Sequence, residues 1–299
     1  MFGTFQSNTV CRNYFYLQDI NIADTAAEAG HFHILEWMKE VKISFSFSIC
    51  GSAAKGGHLE LLKWLISNGN RIDKNTFYSA ALGGNLDILK WFKENNYKID
   101  ESASEGATEG GHLEILKYLK EIKCSLSYDN ANIAASNGHF KILKWLIKHN
   151  NTHHWTPSDL GKAAIKGGHL NILKWLKEKY DFNYDQYFYT DNAALYGLLE
   201  VLKYLKENGC PWGPAACAAA ARNGNLEELQ WLRQEGCPWD EKTCSNAAKY
   251  GHFKLLKWAR RNGCPWDFET FNNSYRHENT KIMEWLISNG CPTGIYGNI

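Results

Sequence analysis

The sequence lacks an excess of either charge, since 33 Lys and Arg residues stand against 32 Asp and Glu residues and the formal net charge is +1. A basic surplus is typical of nucleic-acid binders, so a nucleic-acid surface is the weaker expectation. Proline is scarce, at six residues, which argues against a disordered low-complexity chain. No membrane-length apolar run and no signal-peptide pattern is visible. These absences predict a soluble chain of the cytoplasm or nucleus, with no membrane association and with reduced thiols.

Motifs that carry chemistry are also missing. The sequence has no phosphate-binding glycine loop, no G-x-S-x-G elbow, no H-E-x-x-H pair and no kinase signature. Its nine cysteines contain no C-x-x-C pair, which a zinc site would need. Eight of them fall in two repeat columns and are interpreted as buried structural thiols. We therefore expect no enzyme activity, no cofactor, no metal and no small-molecule substrate.

What the sequence does have is an internal repeat. An aromatic anchor, usually the Trp of an L-K-W-L phrase, recurs at spacings of 27, 27, 27, 27, 30, 29, 27, 27 and 27 residues. The ten anchors are Trp37, Trp64, Trp91, Tyr118, Trp145, Trp175, Tyr204, Trp231, Trp258 and Trp285. Gly lies seven residues before the anchor in nine repeats, with Glu278 in the tenth, and His lies six before it in six repeats. A fixed period of this length indicates a stacked repeat protein.

Each repeat reads as a pair of helices. The segment 59–65 places apolar residues on one broad face of a helix, called helix B, while Glu60 and Lys63 lie opposite. The preceding segment 243–250 reads as a helix A with a small-residue core side. The Gly column falls between them, where a tight turn can require positive φ. One pair cannot bury its apolar face alone, so stacking is expected to build a continuous core.

The residue columns resemble the ankyrin repeat. The segment 53–62 reads A-A-K-G-G-H-L-E-L-L and is followed by Gly69, which is similar to that family's A-A-x-x-G-H, aliphatic pair, L-L and terminal Gly pattern. The resemblance covers about residues 19–293. It implies an all-α solenoid of about ten stacked antiparallel helix pairs and protein–protein recognition by the helix-A side.

Two departures accompany the resemblance. The unit is 27 residues rather than the family's 33, and the shortening removes the place of the β-hairpin fingers. Short repeats with G-C-P-W-D links, such as 236–240, resemble arrays abundant in large DNA viruses of amoebae and in some protists. A viral source with a host protein as partner is the corresponding expectation. We further expect the apolar linker residue, such as Trp239, to cover a neighbouring anchor ring.

The array is expected to occupy residues 19–299 as a single elongated domain. Residues 1–18 fit the repeat poorly and are interpreted as an N-terminal cap or degenerate half-repeat.

Two surfaces are candidates for partner binding. Spacing lengthens around repeats five to seven, where aromatic-rich links predict an exposed contact site at His153, His154, Trp155, Tyr184 and Tyr187. An inert lengthened loop is the alternative. The second candidate is the helix-A position thirteen residues before the anchor, where the residue type differs freely from repeat to repeat. Such variation is typical of a binding groove and equally of neutral drift. The residues predicted to contact a partner there are Tyr78, Glu105, Asn132, Lys162 and Asp191.

The function predicted is a non-enzymatic scaffold that binds a partner protein through the helix-A groove and the irregular loops. A self-assembling structural repeat protein is the alternative, and a nucleic-acid surface is a weaker one. A column of Lys residues immediately before the anchors, here called the Lys ladder, favours the nucleic-acid surface. Most of these Lys residues have an acid three residues earlier, which indicates a solvated face instead.

Overall fold

The computed structural model describes residues 22–149 and 155–294. Over these residues the chain is all helical and contains no strand, as predicted. The helices follow one another as ten A–B pairs, and the chain falls into two compact units, Met1–Thr156 and Pro157–Ile299. The expected cap over 1–18 lies outside the described residues, and a single domain over 19–299 stays a prediction.

Unit 1 contains five helix pairs. Odd-numbered helices are the A helices and even-numbered helices are the B helices. They are α1 (22–28), α2 (Phe32–Glu40), α3 (Ile49–Lys55), α4 (Leu59–Ser67), α5 (Lys74–Leu82), α6 (Leu86–Glu94), α7 (Ser102–Glu109), α8 (Leu113–Glu121), α9 (Asn130–Ser136) and α10 (Phe140–His149).

Unit 2 contains the other five pairs, in the same alternation. They are α11 (Pro157–Gly167), α12 (Leu170–Tyr180), α13 (Tyr187–Leu195), α14 (Leu199–Glu207), α15 (Pro214–Asn223), α16 (Leu226–Gln234), α17 (Glu241–Lys249), α18 (Phe253–Arg261), α19 (Phe268–Arg276) and α20 (Thr280–Ser288).

Within each unit, A helices pack on the A helices of neighbouring pairs, and each A helix packs on its own B helix. Small side chains permit the close A–A contact, and Ala53 and Ala54 are fully buried. The helices α5 and α7 approach closely, since a Cβ on Gly106 would lie 2.1 Å from the Tyr78 carbonyl oxygen. Any larger residue at 106 would force the two helices apart.

The turn between A and B is fixed by glycine. All nine glycines of the column, from Gly30 to Gly251, have φ between 68° and 83°, a conformation that L side chains rarely adopt. Glu278 of the tenth repeat takes the same turn at φ 55° without that freedom. The sequence prediction of a positive-φ turn is confirmed at every repeat.

The His column ties successive repeats together. His58 Nε2 lies 3.0 Å from the Glu28 carbonyl oxygen, at the C-terminal end of the preceding A helix, and His252 Nε2 lies 3.0 Å from that of Arg222. Asn85 replaces His in its repeat and donates to the carbonyls of Ala54 and Lys55. Helix ends leave such carbonyls unpaired, so the column has a structural role.

Candidate functional site

The linkers, which lie between helix B and the next helix A, are built from aromatic pairs. Trp212, Trp239 and Trp266 each pack edge-on against the anchor Trp of the following repeat, with ring centroids 5.8, 6.1 and 5.8 Å apart. Arg233 and Arg260 lie 4.2 Å over the rings of Trp239 and Trp266. The expectation that linker aromatics cover neighbouring anchors is confirmed for these three repeats.

Each linker ends at the first turn of an A helix. The carboxylate of Asp240 accepts a hydrogen bond from the Lys242 backbone N–H at 3.1 Å, and the carboxylate of Asp100 accepts one from the Ser102 N–H at 3.1 Å. These caps satisfy backbone donors that a helix start leaves free. The same residues, Asp100, Ser102, Asp240 and Lys242, line grooves at the starts of the A helices.

The unit 1 groove has a cavity volume of about 430 Å³ and lies between the A helices α5 and α7. It contains two of the predicted site residues, Tyr78 and Glu105. The remaining lining residues are Lys74, Asn75, Asp100, Glu101 and Ser102. Three carboxylates therefore face one ammonium group, and the groove is net acidic.

Tyr78 is fixed in this groove by a hydrogen bond. Its hydroxyl donates to Glu109 Oε2 at 2.5 Å. Burial, together with that bond and with the charges of Glu109 and Glu105, raises the pKa of Tyr78 to about 12. The phenol is therefore a neutral donor at physiological pH, held toward the acidic side of the groove.

The unit 2 groove occupies the equivalent repeat positions and has a volume of about 370 Å³. It contains two further predicted residues, Tyr187 and Asp191. The remaining lining residues are Trp212, Gly213, Pro214, Ala215, Pro238, Asp240 and Lys242. Its walls are thus more apolar than those of the unit 1 groove, with two carboxylates and one ammonium group.

Asp191 is the least satisfied group in the unit 2 groove. Its Oδ1 atom is buried and has no hydrogen-bond partner in the described structure. Burial raises the pKa of this carboxyl group above its ordinary value. The side chain is thus a hydrogen-bond acceptor held in a desolvated position beside a groove.

The other predicted residues lie apart from the two grooves. Lys162 is exposed and its Nζ lies 5.3 Å from the centre of the Phe188 ring. The Asn132 amide donates to Asp129 Oδ1 at 3.0 Å, while its own Oδ1 is buried without a partner. Trp155 is half-buried just before α11. His153 and His154 lie outside the described residues.

The expectation that Tyr184 is an exposed contact residue is wrong. Its side chain is 2% exposed and its hydroxyl donates to the Leu173 carbonyl at 2.6 Å. Its ring packs edge-on against Phe182 and Tyr189, at 5.1 and 5.4 Å. Gly161 faces these three rings, and a Cβ there would lie in van der Waals contact with them at 3.4 to 3.9 Å, so a side chain larger than Ala would meet the rings. The lengthened link therefore fills the core, while Tyr187 alone of the two predicted tyrosines is exposed, at 56%.

The variable helix-A column is not a continuous solvent groove either. In the last three repeats its residues are buried, with Ala218, Ser245 and Asn272 at 6%, 7% and 4% exposure. The five members predicted to contact a partner, Tyr78, Glu105, Asn132, Lys162 and Asp191, reach the surface at least in part. The opposite walls of both grooves were missed by the sequence reading. Their signal was the position of the linker and capping residues, which lie sixteen to twenty residues before the next anchor.

Four of the seven lysines that immediately precede an anchor are paired with an acid on the same helix. Lys63, Lys117 and Lys203 each form an ion pair at 2.7 Å with an acid three residues earlier, and Lys90 does so at 3.8 Å. The partner acids are largely exposed, so each pair contributes a few tenths of a kcal/mol at most. At these four lysines the charge is locally balanced, and a solvated role for the whole ladder stays a prediction.

No metal-binding cluster of three or more His, Cys, Asp or Glu side chains occurs among the described residues. None of the described helices is both long and apolar enough to cross a membrane.

The stacked helix pairs define a helical repeat protein, and comparison with protein families names the repeat. The family "Ankyrin repeats (3 copies)" matches residues 105–187, and "Ankyrin repeats (many copies)" matches residues 52–92. Within residues 52–92 and 105–187 the chain is therefore similar to ankyrin repeats, as the residue columns indicated. No curated protein matches the sequence.

Solved structures of a pentatricopeptide repeat protein are similar to this chain. PPR10 in complex with an 18-nucleotide psaJ RNA element has a TM-score of 0.40 and 12% identity, covering 92% of this chain and 49% of that one. PPR10 from maize has a TM-score of 0.40 and 12% identity, covering 93% and 55%. The chain thus spans about half the length of these proteins.

Proposed function

We propose that this ankyrin-repeat chain is a non-enzymatic scaffold that binds a partner protein through the helix-A grooves. The observation that carries the proposal is the recurrence of a groove at equivalent repeat positions in each unit, between first turns of neighbouring A helices. The turn glycine recurs in nine of the ten repeats, and so does the aliphatic residue three before the anchor. The groove walls vary, with Tyr78 and Glu105 in one unit and Tyr187 and Asp191 in the other.

A constant frame with varied walls is what specific recognition requires, because the frame holds the contact residues rigidly and the walls select the ligand. Exposed tyrosine is well suited to such contacts, since it contributes a large ring area at a small cost in conformational entropy. Both grooves are open and lined largely by side chains of mixed polarity, which suits a protein segment better than a small apolar ligand. If the chain comes from a virus, as the short repeats suggest, the expected partner is a protein of the host.

The test is affinity capture with the intact chain and a groove variant, Tyr187→Ala with Asp191→Ala. The matched control is Glu200→Ala with Lys203→Ala, an exposed ion pair on helix B of the same repeat. We expect a partner that is retained by the wild type and the control and is lost by the groove variant. A reciprocal variant in unit 1, Tyr78→Ala with Glu105→Ala, shows whether both grooves contribute.

Retention of the same partner by both groove variants would contradict the proposal. A chain that captures nothing, and whose mass by light scattering rises with its own concentration, would favour self-assembly. Tyr184 is left unchanged in every variant because its removal would disturb the core and obscure a loss of binding.

A further inference from the structure

We propose that two buried cysteine pairs, Cys217 with Cys237 and Cys244 with Cys264, are sites of disulfide formation. Each bond joins helix A of a repeat to the linker that follows helix B of the same repeat. The inference goes beyond the partner-binding proposal and does not depend on it. Its consequence is that the stability of unit 2 responds to the redox state of its surroundings.

The pairs arise because two cysteine columns meet in space. One column lies fourteen residues before the anchor, near the start of helix A, and the other lies six residues after the anchor, in the linker. The Cys237 thiol donates to the Gly213 carbonyl oxygen at 3.4 Å, and the Cys264 thiol donates to that of Asp240 at 3.6 Å. Gly213 and Asp240 are the N-caps of α15 and α17. Each linker thiol therefore lies over the first turn of helix A of its own repeat.

Two repeats carry cysteine in both columns, so that thiol meets thiol. The Cys217 and Cys237 side chains are hydrogen bonded to each other, and so are those of Cys244 and Cys264. The Cys217 Sγ atom also lies 4.0 Å from the Cys237 carbonyl oxygen. A disulfide requires side chains that already face each other at such short range.

The remaining cysteines of the two columns are internal controls. Their matching positions in the same repeat hold residues that cannot form a disulfide. These cysteines are Cys50, Cys124, Cys210 and Cys291, and the matching residues are Asn70, Ser104, Thr190 and Phe271. The crossing of the columns therefore singles out the two pairs in the repeats of α15 and α17.

Burial is compatible with this modification, because a disulfide adds no foreign atom to the core. All four side chains are fully buried. Hydrogen bonding to the partner thiol, together with burial, raises the pKa of Cys217 and Cys244, so the folded chain holds little of the reactive thiolate. The bonds are therefore expected to form while the chain folds, when the thiols still meet solvent, and to persist once the core has closed.

The oxidant is a low-molecular-weight disulfide such as oxidised glutathione. A thiolate of the pair attacks it, which forms a mixed disulfide and releases one glutathione thiolate. The second thiolate attacks the protein sulfur of the mixed disulfide, which forms the intrachain bond and releases the other glutathione. In total, two protein thiols lose two electrons and two protons, and the glutathione disulfide is reduced to two glutathione molecules. In a reducing compartment the reverse exchange keeps the thiols free.

The experiment is refolding of the full chain from guanidinium with oxidised and reduced glutathione, compared with refolding in a reductant. After renewed unfolding, iodoacetamide blocks the free thiols, and mass spectrometry of the chain and its tryptic peptides locates the bonds. We expect the oxidised chain to lose four hydrogen atoms, two for each bond. Peptide 243–249 should be linked to 262–276, and peptide 207–222 to 234–242, while Cys50, Cys124 and Cys291 are alkylated.

Cys217→Ser should abolish the link between peptides 207–222 and 234–242, which excludes Cys210 on the same peptide as its source, and should leave the other link intact. The oxidised wild type should unfold at a higher urea concentration than the reduced wild type, because a closed loop restricts the unfolded chain. Cys217→Ser with Cys244→Ser should show no such difference, and circular dichroism verifies that both variants fold.

Four outcomes would each overturn the inference. They are full alkylation of the four paired cysteines after oxidative refolding, a bond to Cys210 or Cys291, a bond between Cys237 and Cys244, and an unfolding midpoint that oxidation leaves unchanged or lowers. None of these outcomes bears on partner capture, which is tested by its own variants.

Discussion

Trp239 packs edge-on against Trp258, the anchor of the next repeat, with the ring centroids 6.1 Å apart. The guanidinium group of Arg233 lies over the Trp239 ring, 4.2 Å from its centroid. This relationship joins consecutive repeats at the place where longer ankyrin units carry a finger. Aromatic burial and edge-to-face geometry both stabilise the joint. The linker is therefore an interface between repeats as well as a connection.

Replacing Trp239 by Ala should destabilise the chain by about 2 kcal/mol, since a half-buried indole and its ring contact are lost together. Trp239→Phe keeps an aromatic ring and should cost less. Urea unfolding followed by circular dichroism measures both. Trp37→Ala is the control, because that anchor is 57% exposed and a surface change stays within about 0.5 kcal/mol. Equal effects at 239 and 37 would contradict the role of the linker.

Replacing His252 by Ala should cost about 1 kcal/mol, because the Arg222 carbonyl oxygen loses the imidazole partner that lies 3.0 Å away. His252→Asn should recover much of this loss. Asn279 performs the same task in its own repeat, where its amide donates to the Ala248 carbonyl at 2.9 Å. The measurement is the urea unfolding midpoint of the wild type and the two variants. If His252→Asn is no more stable than His252→Ala, then packing of the imidazole, rather than its hydrogen bond to the Arg222 carbonyl, is responsible for the loss of stability.

The cysteines of the A helices should resist alkylation while the chain is folded. Cys217 and Cys244 are fully buried. Hydrogen bonding to the thiols of Cys237 and Cys264, respectively, together with burial, raises the pKa of each. Because the thiolate is the reacting form, iodoacetamide at about pH 8 should modify them only after unfolding. Mass spectrometry of native and guanidinium-treated samples gives the comparison, and rapid native labelling of either residue would refute the assignment.

The repeat was readable from the sequence because its period fixes the helix pairs, the turn glycines and the linker aromatics at the same time. Tyr184 was misread because composition identifies an aromatic segment without saying which side of the chain it faces. Gly161 held the missing signal, since it is the only residue without a side chain in a column that carries Cys or Phe in five other repeats and Ala, Ser or Thr in the remaining four.

Only one wall of each groove could be predicted from the sequence. Periodicity identified the variable wall, at Tyr78 and Asp191, because the variation lies within one helix. In the unit 2 groove the facing residues Asp240 and Lys242 belong to the second repeat after that of Asp191, and their contribution depends on how far apart the first turns of the A helices lie. That distance is a property of packing rather than of the local sequence.

Glu228 departs from its column in the core of unit 2. The residue three before the anchor is aliphatic in the other nine repeats: Ile34, Leu61, Ile88, Ile115, Ile142, Ile172, Val201, Leu255 and Ile282. Glu228 is fully buried, its Oε2 accepts from the Asn225 amide at 3.1 Å, and its Oε1 has no partner in the described structure. Burial raises the pKa of this carboxyl from 4.5 to about 7.

The raised pKa makes stability depend on pH in a defined direction. Between pH 4.5 and about 7 the unfolded chain releases the Glu228 proton while the folded chain retains it, so the wild type loses stability as pH rises through this interval. Glu228→Gln cannot ionise and should not show this loss. The variant should match the wild type near pH 4 and exceed it by about 3 kcal/mol near pH 8, when the full shift is converted to free energy.

Glu228→Leu separates ionisation from polarity at this position. It restores the aliphatic column and removes the unpartnered oxygen, so it should be more stable than the wild type at every pH, with the same increase toward alkaline pH. Urea unfolding of the three proteins at several pH values measures these differences. A difference between wild type and Glu228→Gln that stays constant with pH would show that the carboxyl keeps its ordinary pKa on folding, and that burial does not govern its ionisation.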